Sequence, residues 1–426
     1  MKARRVIIWT LVAAAAIITV ALVAALLAYP SEYVFRVLAW RDSDAFDWQK
    51  FPSHPLESAP SIYTFDSAPD ADVGELLSGM AGVDDWDAFL EDTHTQAFIV
   101  VQDRTILFEQ YFNDTERASI VTSFSMAKSI TSALIGIAID EGHIESVDDA
   151  ITIYLPELAD RDPRFEHITI RHLLMMSSGL EYKEFRFPGL NSDDPLTTYY
   201  PDQRWLALNN TKIIDPPGTY FQYNKYHPQL LGMILERTTG LTVTQYLQAK
   251  IWDPLGMEFG GSWSTDSEES DFEKMETGVN ARAIDFAKFG QLFLDGGSWD
   301  GRRVISKKWV EESTQPYVPD DYAAYYPDWL GDLPGQGYYK YMWWGMAREQ
   351  GRFDFAAEGD KGQFIYVCPE SSLVIVRHGT DYGMPYNEWL ELFYEFAGEL
   401  QPSPEAAATG AAVPQAGEST ASPSGP

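Results

Sequence analysis

The segment 122–142 reads TSFSMAKSITSALIGIAIDEG and constrains the fold more than any other stretch of the chain. Its apolar residues would occupy every face of a helix, so the pattern predicts a helix that is buried on all sides. Thr122 or Ser123 can cap the start, and Gly142 can end the helix after two acidic residues. The rest of the protein must therefore pack around this helix.

Ser125 and Lys128 stand three residues apart in the predicted first turn of that helix, so they share one face. A serine hydroxyl becomes a nucleophile when a base takes its proton, and a lysine amine does so only when neutral. Burial and the positive end of the helix dipole both favour the neutral amine. Backbone N–H groups at the helix start can also hold an oxyanion. Because Ser-x-x-Lys arises easily by chance, an ordinary helix start with a solvated lysine is the alternative.

The composition of the chain excludes several classes of protein. Among its 426 residues, 45% are hydrophobic, which supplies a sizeable core. The net charge of −32 argues against nucleic acid or anionic lipid as a partner, because phosphate would be repelled. The histidines show no metal-binding spacing and no cysteine pair exists, so no metal is predicted. The single Cys368 lies in an apolar run and is predicted to be a buried structural thiol.

The N-terminus carries a run of 24 uncharged residues, 6–29, after three basic residues among the first five. This run is longer than a secretory signal core and long enough to span a bilayer, so it predicts a transmembrane signal-anchor. The basic residues favour a cytoplasmic N-terminus and an extracytoplasmic catalytic part. A long cleaved signal is the alternative, because Ala24, Ala25 and Ala28 offer small residues near its end.

The chain divides by pattern into a signal-anchor (1–30), an extended lead-in (31–75), a main domain (76–400) and a disordered tail (401–426). Within the main domain, two early strands come first, followed by a helical middle, several late strands and a last helix. This order predicts an α+β fold in which early and late strands share one antiparallel sheet, flanked by helices and joined to an all-α lobe.

The strands and the last helix of that domain follow from short patterns. Residues 97–101 and 105–112 predict a hairpin, because they flank a short polar turn. Strand-like runs follow after residue 337, and one unbroken strand is predicted for 338–346. A helix over residues 388–400 closes the domain.

A second group of candidate residues lies in the loop PPGTYFQYNK at 216–225. Tyr223 can act as a proton shuttle if its phenol lies beside Ser125 and a cation. Asn224 or Lys225 would give polar support. An aromatic cluster of this kind is more often packing than catalysis, and that alternative stays open.

A third group is the run GDKGQ at 359–363, which enters a predicted strand. Glycine at a strand edge lets a substrate approach the backbone closely. The N–H of Gln363 would then be the second oxyanion donor, beside the N–H of Ser125. The alternative is a glycine-bounded turn between two strands.

Five blocks in order resemble the serine β-lactamase-related family, which groups class C β-lactamases, D-alanyl-D-alanine carboxypeptidases, serine esterases and 6-aminohexanoate-dimer hydrolases. The blocks are SFSMAKS (123–129), HLLMMSSGL (172–180), PPGTYFQYNKYHPQLLG (216–232), RAIDFAKFGQLFLDGGSWDGRRVIS (282–306) and EGDKGQFIYVCPE (358–370). The resemblance runs from about residue 97 to residue 400 and implies a β-lactamase/transpeptidase-like fold. Segments around Phe289 and around Trp343 and Trp344 resemble the 6-aminohexanoate-dimer hydrolase branch, and both tryptophans are predicted to contact substrate.

By this resemblance, Ser125 is the acylated nucleophile, Lys128 its proton-accepting partner, and Tyr223 the general base and acid of the Tyr-x-Asn motif. The family's Lys-x-Gly or His-x-Gly strand motif falls on residues 360–362. Two positions depart from the family pattern. Lys225 occupies the usual asparagine position, with Asn224 one place early.

The second departure is Asp360, which stands where a cation is usual and weakens binding of a carboxylate-bearing substrate. Lys361 is adjacent, but neighbours on a strand face opposite ways. Together with Gly362, these residues are predicted to contact substrate. The sequence therefore predicts a membrane-anchored, extracytoplasmic serine hydrolase that needs no cofactor and cleaves a small ester, amide or peptide. A penicillin-binding peptidase or β-lactamase, and a catalytically silent cell-wall-binding module, are the alternatives.

Overall fold

A computed structural model describes residues 2–184 and 192–400. The disordered tail predicted for 401–426 lies outside the described residues. The helices are α1 (Lys2–Ala28), α2 (Ser31–Trp40), α3 (Ala71–Ala81), α4 (Trp86–Asp92), α5 (Met126–Asp140), α6 (Pro156–Arg161), α7 (Ile170–Leu174), α8 (Asp193–Tyr199), α9 (Gln203–Asn210), α10 (Tyr226–Thr239), α11 (Val243–Leu247), α12 (Ala283–Leu294), α13 (Lys307–Thr314), α14 (Tyr322–Tyr325) and α15 (Tyr386–Glu399).

The strands are β1 (Ser53–Leu56), β2 (Asp66–Ser67), β3 (Thr95–Gln102), β4 (Thr105–Tyr111), β5 (Val121–Thr122), β6 (Gly261–Ser264), β7 (Val279–Ala281), β8 (Ser298–Trp299), β9 (Arg302–Arg303), β10 (Gln336–Lys340), β11 (Trp343–Ala347), β12 (Phe353–Gly359), β13 (Gln363–Cys368) and β14 (Leu373–Gly379). The early hairpin predicted from the sequence is confirmed as β3 and β4, which pair antiparallel.

Early and late strands share one sheet, as predicted. Within residues 2–184 and 192–400, eight strands form it in the order β10-β11-β12-β13-β14-β3-β4-β2. The first and last parts of the chain meet where β14 pairs antiparallel with β3, with Val374 opposite Val101. Nearly every residue of β3, β13 and β14 is buried, because helices cover both faces of the sheet. The continuous Val, Ile and Phe runs of these strands reflect that two-sided burial.

Helices α12 and α15 pack on this sheet, and α5 packs against β12 and β13. A Cβ at Gly290 would lie only 2.6 Å from Ile365, so this glycine lets α12 approach the sheet closely. The stretch between β5 and β6 is helical and supplies the predicted all-α lobe, with α10 packed on α5, α7 and α9. The predicted α+β architecture is confirmed, and Cys368 is buried in β13.

The prediction that residues 31–75 form an extended lead-in is wrong in its first part. Residues 31–40 form α2, which buries Tyr33 and Val34 against the domain. The guanidinium of Arg36 donates hydrogen bonds to the carbonyls of Tyr199 and Asp266, at 3.1 and 2.7 Å. These contacts hold α2 against the domain.

The strand predicted over 338–346 is also corrected, because it is two strands, β10 and β11. Tyr341 and Met342 form the turn between them, with positive φ angles of 44° and 65°. Neither residue is a glycine, so the sequence carried no turn signal. The turn is held from outside, since the Met342 carbonyl accepts a hydrogen bond from Ser129 in α5 at 2.6 Å.

The apolar N-terminal run forms a helix that is mostly exposed. Among the described residues, one helix, Ala3–Ala28, is long and apolar enough to cross a membrane. Length and composition alone support that statement, and a signal sequence meets the same criteria.

Candidate active site

The start of α5 presents Ser125 at a sharp change of chain direction. The helix begins at Met126, so Ser125 is its N-cap and not a residue of its first turn as predicted. Phe124, just before it, has a positive φ of 41°. Ser123 is bound to β7 on both sides, because its N–H donates to the Val279 carbonyl at 2.8 Å and its hydroxyl accepts from the Val279 N–H at 3.1 Å. These contacts hold the nucleophile candidate in place.

Lys128 lies one helical turn further and is fully buried. Its Nζ is 2.8 Å from Ser125 Oγ and 2.8 Å from the Glu276 carbonyl oxygen. Burial, and next the charge of Lys225, lower the pKa of Lys128 to about 7. The neutral amine is therefore well populated near neutral pH, and its lone pair can accept the Ser125 proton.

Tyr223 lies in the loop that leads into α10. This loop is held by the segment 172–180, since the Gln222 N–H donates to the Met176 carbonyl at 2.7 Å. The Tyr223 side chain lines the same cavity as Ser125, and the Lys128 Nζ lies 5.0 Å from the centre of the Tyr223 ring. The structure thus brings the predicted hydroxyl, amine and phenol together.

The environment of Tyr223 favours the protonated phenol. Burial raises the pKa of Tyr223 most, and the nearby carboxylates of Glu358 and Asp360 raise it further, while the hydrogen bond with Ser125 acts against them. Lys128 does not supply the full positive charge that a phenolate would need, because its own pKa is lowered. Between the two groups, Lys128 is the better proton acceptor at neutral pH.

A cavity of about 280 Å³ opens beside these groups. Its lining comes from the start of α5, the Tyr223 loop, the end of β12 and two distant segments: Ser43, Phe124, Ser125, Thr198, Tyr223, Lys225, Thr277, Trp344, Glu358, Gly359, Asp360 and Tyr382. A larger depression of about 640 Å³ between residues 30–32 and Trp205 contains none of Ser125, Lys128 and Tyr223. The smaller cavity is therefore the candidate site.

The wall opposite Ser125 is the end of β12. Glu358, Gly359 and Asp360 line the cavity there. A Cβ on Gly359 would lie 2.3 Å from the Ser123 carbonyl oxygen, so only glycine allows the strand this close to the nucleophile turn. Close approach, and not a special φ angle, is the reason for a glycine at this position.

Gln363, predicted as the second oxyanion donor, does not line the cavity. It pairs with Gly359 across the hairpin. Its side chain donates to the Gly379 carbonyl at 2.7 Å and contacts His378 at 2.9 Å, so it ties β13 to β14. The backbone that borders the cavity lies three residues earlier, at Asp360, because the chain reverses between them.

Residues 360–362 form the turn between β12 and β13, which corrects the strand motif implied by the resemblance and agrees with the alternative of a glycine-bounded turn. Lys361 and Gly362 have positive φ angles of 63° and 78°. The Gly362 carbonyl accepts a hydrogen bond from Arg377 at 2.7 Å. Of the three residues, Asp360 lines the cavity, whereas Lys361 and Gly362 shape the turn behind it.

The predicted polar pair after Tyr223 splits into two roles. Asn224 is buried, and it donates to the Leu180 carbonyl at 3.2 Å and accepts from the Tyr226 N–H at 2.9 Å. It therefore shapes the loop. Lys225 lines the cavity, and its Nζ lies 2.9 Å from Asp194.

The two predicted tryptophans face opposite sides of β11, as strand neighbours must. Trp344 lines the cavity and stacks on Tyr223 with ring centres 5.6 Å apart. Trp343 is buried on the other side, against Phe293 at 4.5 Å and Phe289 at 5.9 Å. Trp343 belongs to the core, and it does not contact the cavity.

Several cavity residues escaped the sequence analysis, above all Glu358, Ser43, Thr198 and Tyr382. Glu358 stands two places before Asp360, and alternate residues of a strand share a face, so this spacing was a usable signal. Ser43 and Thr198 come from segments with no motif, and tertiary structure alone places them at the site. Among the described residues, no group of three metal-ligand side chains occurs.

Comparison with known proteins tests the resemblance. A family model described as β-lactamase matches residues 86–385, which is more than half of the chain. The 6-aminohexanoate-dimer hydrolase of Paenarthrobacter ureafaciens is 26% identical over 362 residues, covering 80% of this chain and 86% of that protein. Penicillin-binding protein 4 of Amycolatopsis lactamdurans is 26% identical over 310 residues, covering 66% of this chain and 77% of that protein.

Solved structures share the fold. A provisionally designated 6-aminohexanoate-dimer hydrolase from Bacillus anthracis aligns with a TM-score of 0.66 and 25% identity, covering 81% of this chain and 89% of that chain. A class C β-lactamase aligns with a TM-score of 0.57 and 15% identity, covering 79% of this chain and 100% of that chain. The predicted resemblance and fold are confirmed, and the chain belongs to the β-lactamase family of serine hydrolases.

Proposed function

We propose that this protein cleaves a small ester or amide through an acyl-enzyme on Ser125. The observation that carries the proposal is the convergence of Ser125 Oγ, Lys128 Nζ and the Tyr223 phenol at one cavity. Neutral Lys128 takes the Ser125 proton as the oxygen attacks the carbonyl carbon. The protonated Tyr223 relays a proton to the leaving group, and water then releases the acyl group by the reverse path.

Two backbone N–H groups support stabilisation of the oxyanion. They belong to Ser125, at the start of α5, and to Asp360, in the turn just after β12. Among the described residues, neither N–H donates to a backbone carbonyl, so both are free to bind an oxygen. Asp360 thus replaces Gln363 as the proposed second donor.

The N-terminal helix supports a location for this reaction. We infer that α1 anchors the protein in a membrane, because it is apolar over the length of a bilayer span. Basic residues before it favour a cytoplasmic N-terminus, which leaves the catalytic domain outside. Protease accessibility of the domain in intact cells, with and without detergent, tests this orientation.

The decisive experiment is labelling with an activated fluorophosphonate, followed by mass spectrometry of the intact protein. We expect one adduct on the parent protein and none on Ser125→Ala. Turnover of a short-chain ester, an anilide, a D-Ala-D-Ala peptide and a chromogenic cephalosporin then sorts the reaction class. A parent protein that takes no adduct and turns over none of them would favour the silent binding module.

A cell-wall peptidase or β-lactamase is the second candidate, because one relative is a penicillin-binding protein. The carboxylate of Asp360 counts against it, since it lines the cavity and would repel the carboxylate of a β-lactam or peptide end. Fast cephalosporin turnover without esterase activity would reverse this preference.

A further inference from the structure

The short helix α2 keeps one apolar face uncovered. One side of it is buried against the domain, whereas Phe35 and Leu38 on the other side are 60% and 58% exposed. Residues three apart share a helix face, so these two side chains and the exposed Ala39 form one patch, the outer face of α2. Neighbouring exposed apolar side chains of this size are typical of a contact surface.

The outer face lies close to the end of the apolar helix α1. Tyr29 and Pro30 alone separate the two helices, and Pro30 has φ −52° and ψ 139°, so α2 leaves α1 at an angle. A helix rises 1.5 Å per residue, which places Leu38 at most about 11 Å along α2 from its start. If α1 spans a bilayer, the outer face contacts lipid as soon as α2 lies along the bilayer surface.

A row of aromatic rings stands at the same junction. The Tyr29 ring packs on Tyr33 with centres 5.3 Å apart. Tyr200 lies 5.8 Å from Tyr33 and stacks on Trp205 at 5.6 Å. Trp205 is half exposed, and it lines one surface depression together with Pro30. Tyrosine and tryptophan are enriched where membrane proteins cross the bilayer surface, because their rings combine an apolar body with a polar edge.

The charges of α2 favour a neutral lipid surface. Its acidic residue, Glu32, forms an ion pair with its basic residue, Arg36, so the helix carries no uncompensated charge. The whole chain has a net charge of −32 and would be repelled by anionic lipid. Apolar contact, and not charge, would therefore hold the domain on the membrane, and zwitterionic lipid is the partner that fits.

We propose that the outer face of α2 inserts into the surface of the bilayer that α1 spans, so that the catalytic domain is docked on lipid. The proposal rests on the membrane anchoring inferred for α1, and it goes beyond it by assigning a lipid contact to the domain itself. Ser43 lines the active-site cavity and follows Trp40 by three residues, which span at most about 11 Å. Docking would therefore keep the active site near the lipid surface.

The full-length protein in phosphatidylcholine vesicles tests this docking. Ala39→Cys introduces a thiol beside the two large apolar side chains without replacing them. Ile62→Cys is the control, because Ile62 is 57% exposed and lies next to Tyr63, which packs on Trp299 in β8 at 4.8 Å. Each thiol is labelled with an environment-sensitive fluorophore, and Cys368 stays unlabelled because it is buried. We expect phosphatidylcholine brominated on its acyl chains to quench the label at residue 39 severalfold more than the label at residue 62.

Removing the apolar side chains should release the contact. Phe35→Ser combined with Leu38→Ser, in the labelled Ala39→Cys protein, is expected to abolish most of the additional quenching. Both side chains are exposed, so the fold should be kept, which circular dichroism checks. Val318→Ser combined with Ile214→Ser is the matched control, since these side chains are 49% and 50% exposed elsewhere on the surface, and it should leave the quenching unchanged.

Three results would overturn the docking and leave the anchoring by α1 standing, provided that the protein floats with the vesicles in a density gradient. The first is equal quenching of the two labels. The second is unchanged quenching after loss of Phe35 and Leu38. The third is a label at residue 39 that emits as a buried probe without being quenched by brominated lipid, which would assign the outer face to a second copy of the chain. A protein that does not float with the vesicles would overturn anchoring and docking together, whereas the fluorophosphonate adduct on Ser125 tests the hydrolase separately.

Discussion

The two walls of the cavity are built in opposite ways. The helix wall holds Ser125 and Lys128, which are three residues apart and meet through one turn of α5. The strand wall holds residues 358–360, which reach the nucleophile only because β12 packs against α5 after more than two hundred intervening residues. The first wall is a local consequence of helix geometry, whereas the second depends on the whole sheet.

The walls also differ in the kind of ionisable group that they bury, which is basic in the helix wall and acidic in the strand wall. Burial moves both Lys128 and Glu358 toward their neutral forms, so the pKa falls to about 7 in the first and rises to about 8 in the second. Neutrality makes Lys128 a base that can act on Ser125. Neutrality at Glu358 has no use in the proposed mechanism.

Removing the base of the helix wall should have the largest effect. Lys128→Met should lower kcat/KM for a neutral ester by about 10³- to 10⁴-fold, because no other neutral amine lies beside Ser125 in the described structure. In the parent protein the neutral amine is the active form. The rate should therefore rise by about tenfold per pH unit up to about pH 7 and level off above it.

The pH profile has its own control. Glu358→Gln removes the other group that titrates near this range, so the rise of kcat/KM toward pH 7 on the neutral ester should persist in it. A parent profile that stays flat between pH 5 and 8 would remove Lys128 from the role of base.

Displacing the strand wall should cause the next largest loss of kcat/KM. Gly359→Ala adds a Cβ. Without any movement this atom would lie 2.3 Å from the Ser123 carbonyl oxygen, so β12 or the nucleophile turn must shift. A displacement of about 1 Å is expected to lower kcat/KM by about 10²-fold. Steady-state kinetics measure the loss, and circular dichroism checks that the fold is kept.

Gly79→Ala is the matched control for that substitution, because a Cβ at Gly79 in α3 meets no atom within 4 Å. It should leave kcat/KM unchanged and raise the melting temperature slightly. Equal activity of Gly359→Ala and the parent would mean that the strand wall does not border the reacting atoms.

Tyr223→Phe tests how much the phenol contributes to the rate, relative to the amine of Lys128. Tyr223 relays a proton to the leaving group in the proposed mechanism, so its loss should cost about 10²-fold in kcat/KM, less than the loss of Lys128. Steady-state rates of the two variants on one neutral ester give the comparison. A larger loss in Tyr223→Phe would assign the proton-accepting role to Tyr223.

The two tryptophans of β11 give the smallest expected effect on rate. Trp344→Phe should lower kcat/KM severalfold, because the ring stacks on Tyr223 and lines the cavity. Trp343→Phe should leave kcat/KM within about twofold and lower the free energy of unfolding by about 1–3 kcal/mol, because the ring is in the core. Urea unfolding and kinetics on both variants test the division, and a reversed pattern would contradict it.

The fold was predictable from the sequence where chemistry and periodicity are local. The buried helix behind Ser125, the β3–β4 hairpin and the sheet of early and late strands were all predictable, because apolar runs and turn residues mark them. The place of Gln363 was not predictable, because the run GDKGQ fitted both entry into a strand and a glycine-bounded turn. The turn at residues 360–362 reverses the chain there, and no nearby residue reveals which side faces the cavity.

The same contrast holds for the rest of the site. Sequence alone determined that a serine and a lysine share a helix face, because helix geometry depends on neighbours along the chain. Only the tertiary structure decided that Trp344 and not Trp343 borders the cavity, and that Glu358 and Ser43 join it. Those placements come from packing between segments that are far apart in the sequence. The residue pattern of one segment does not show which distant segments will pack against it.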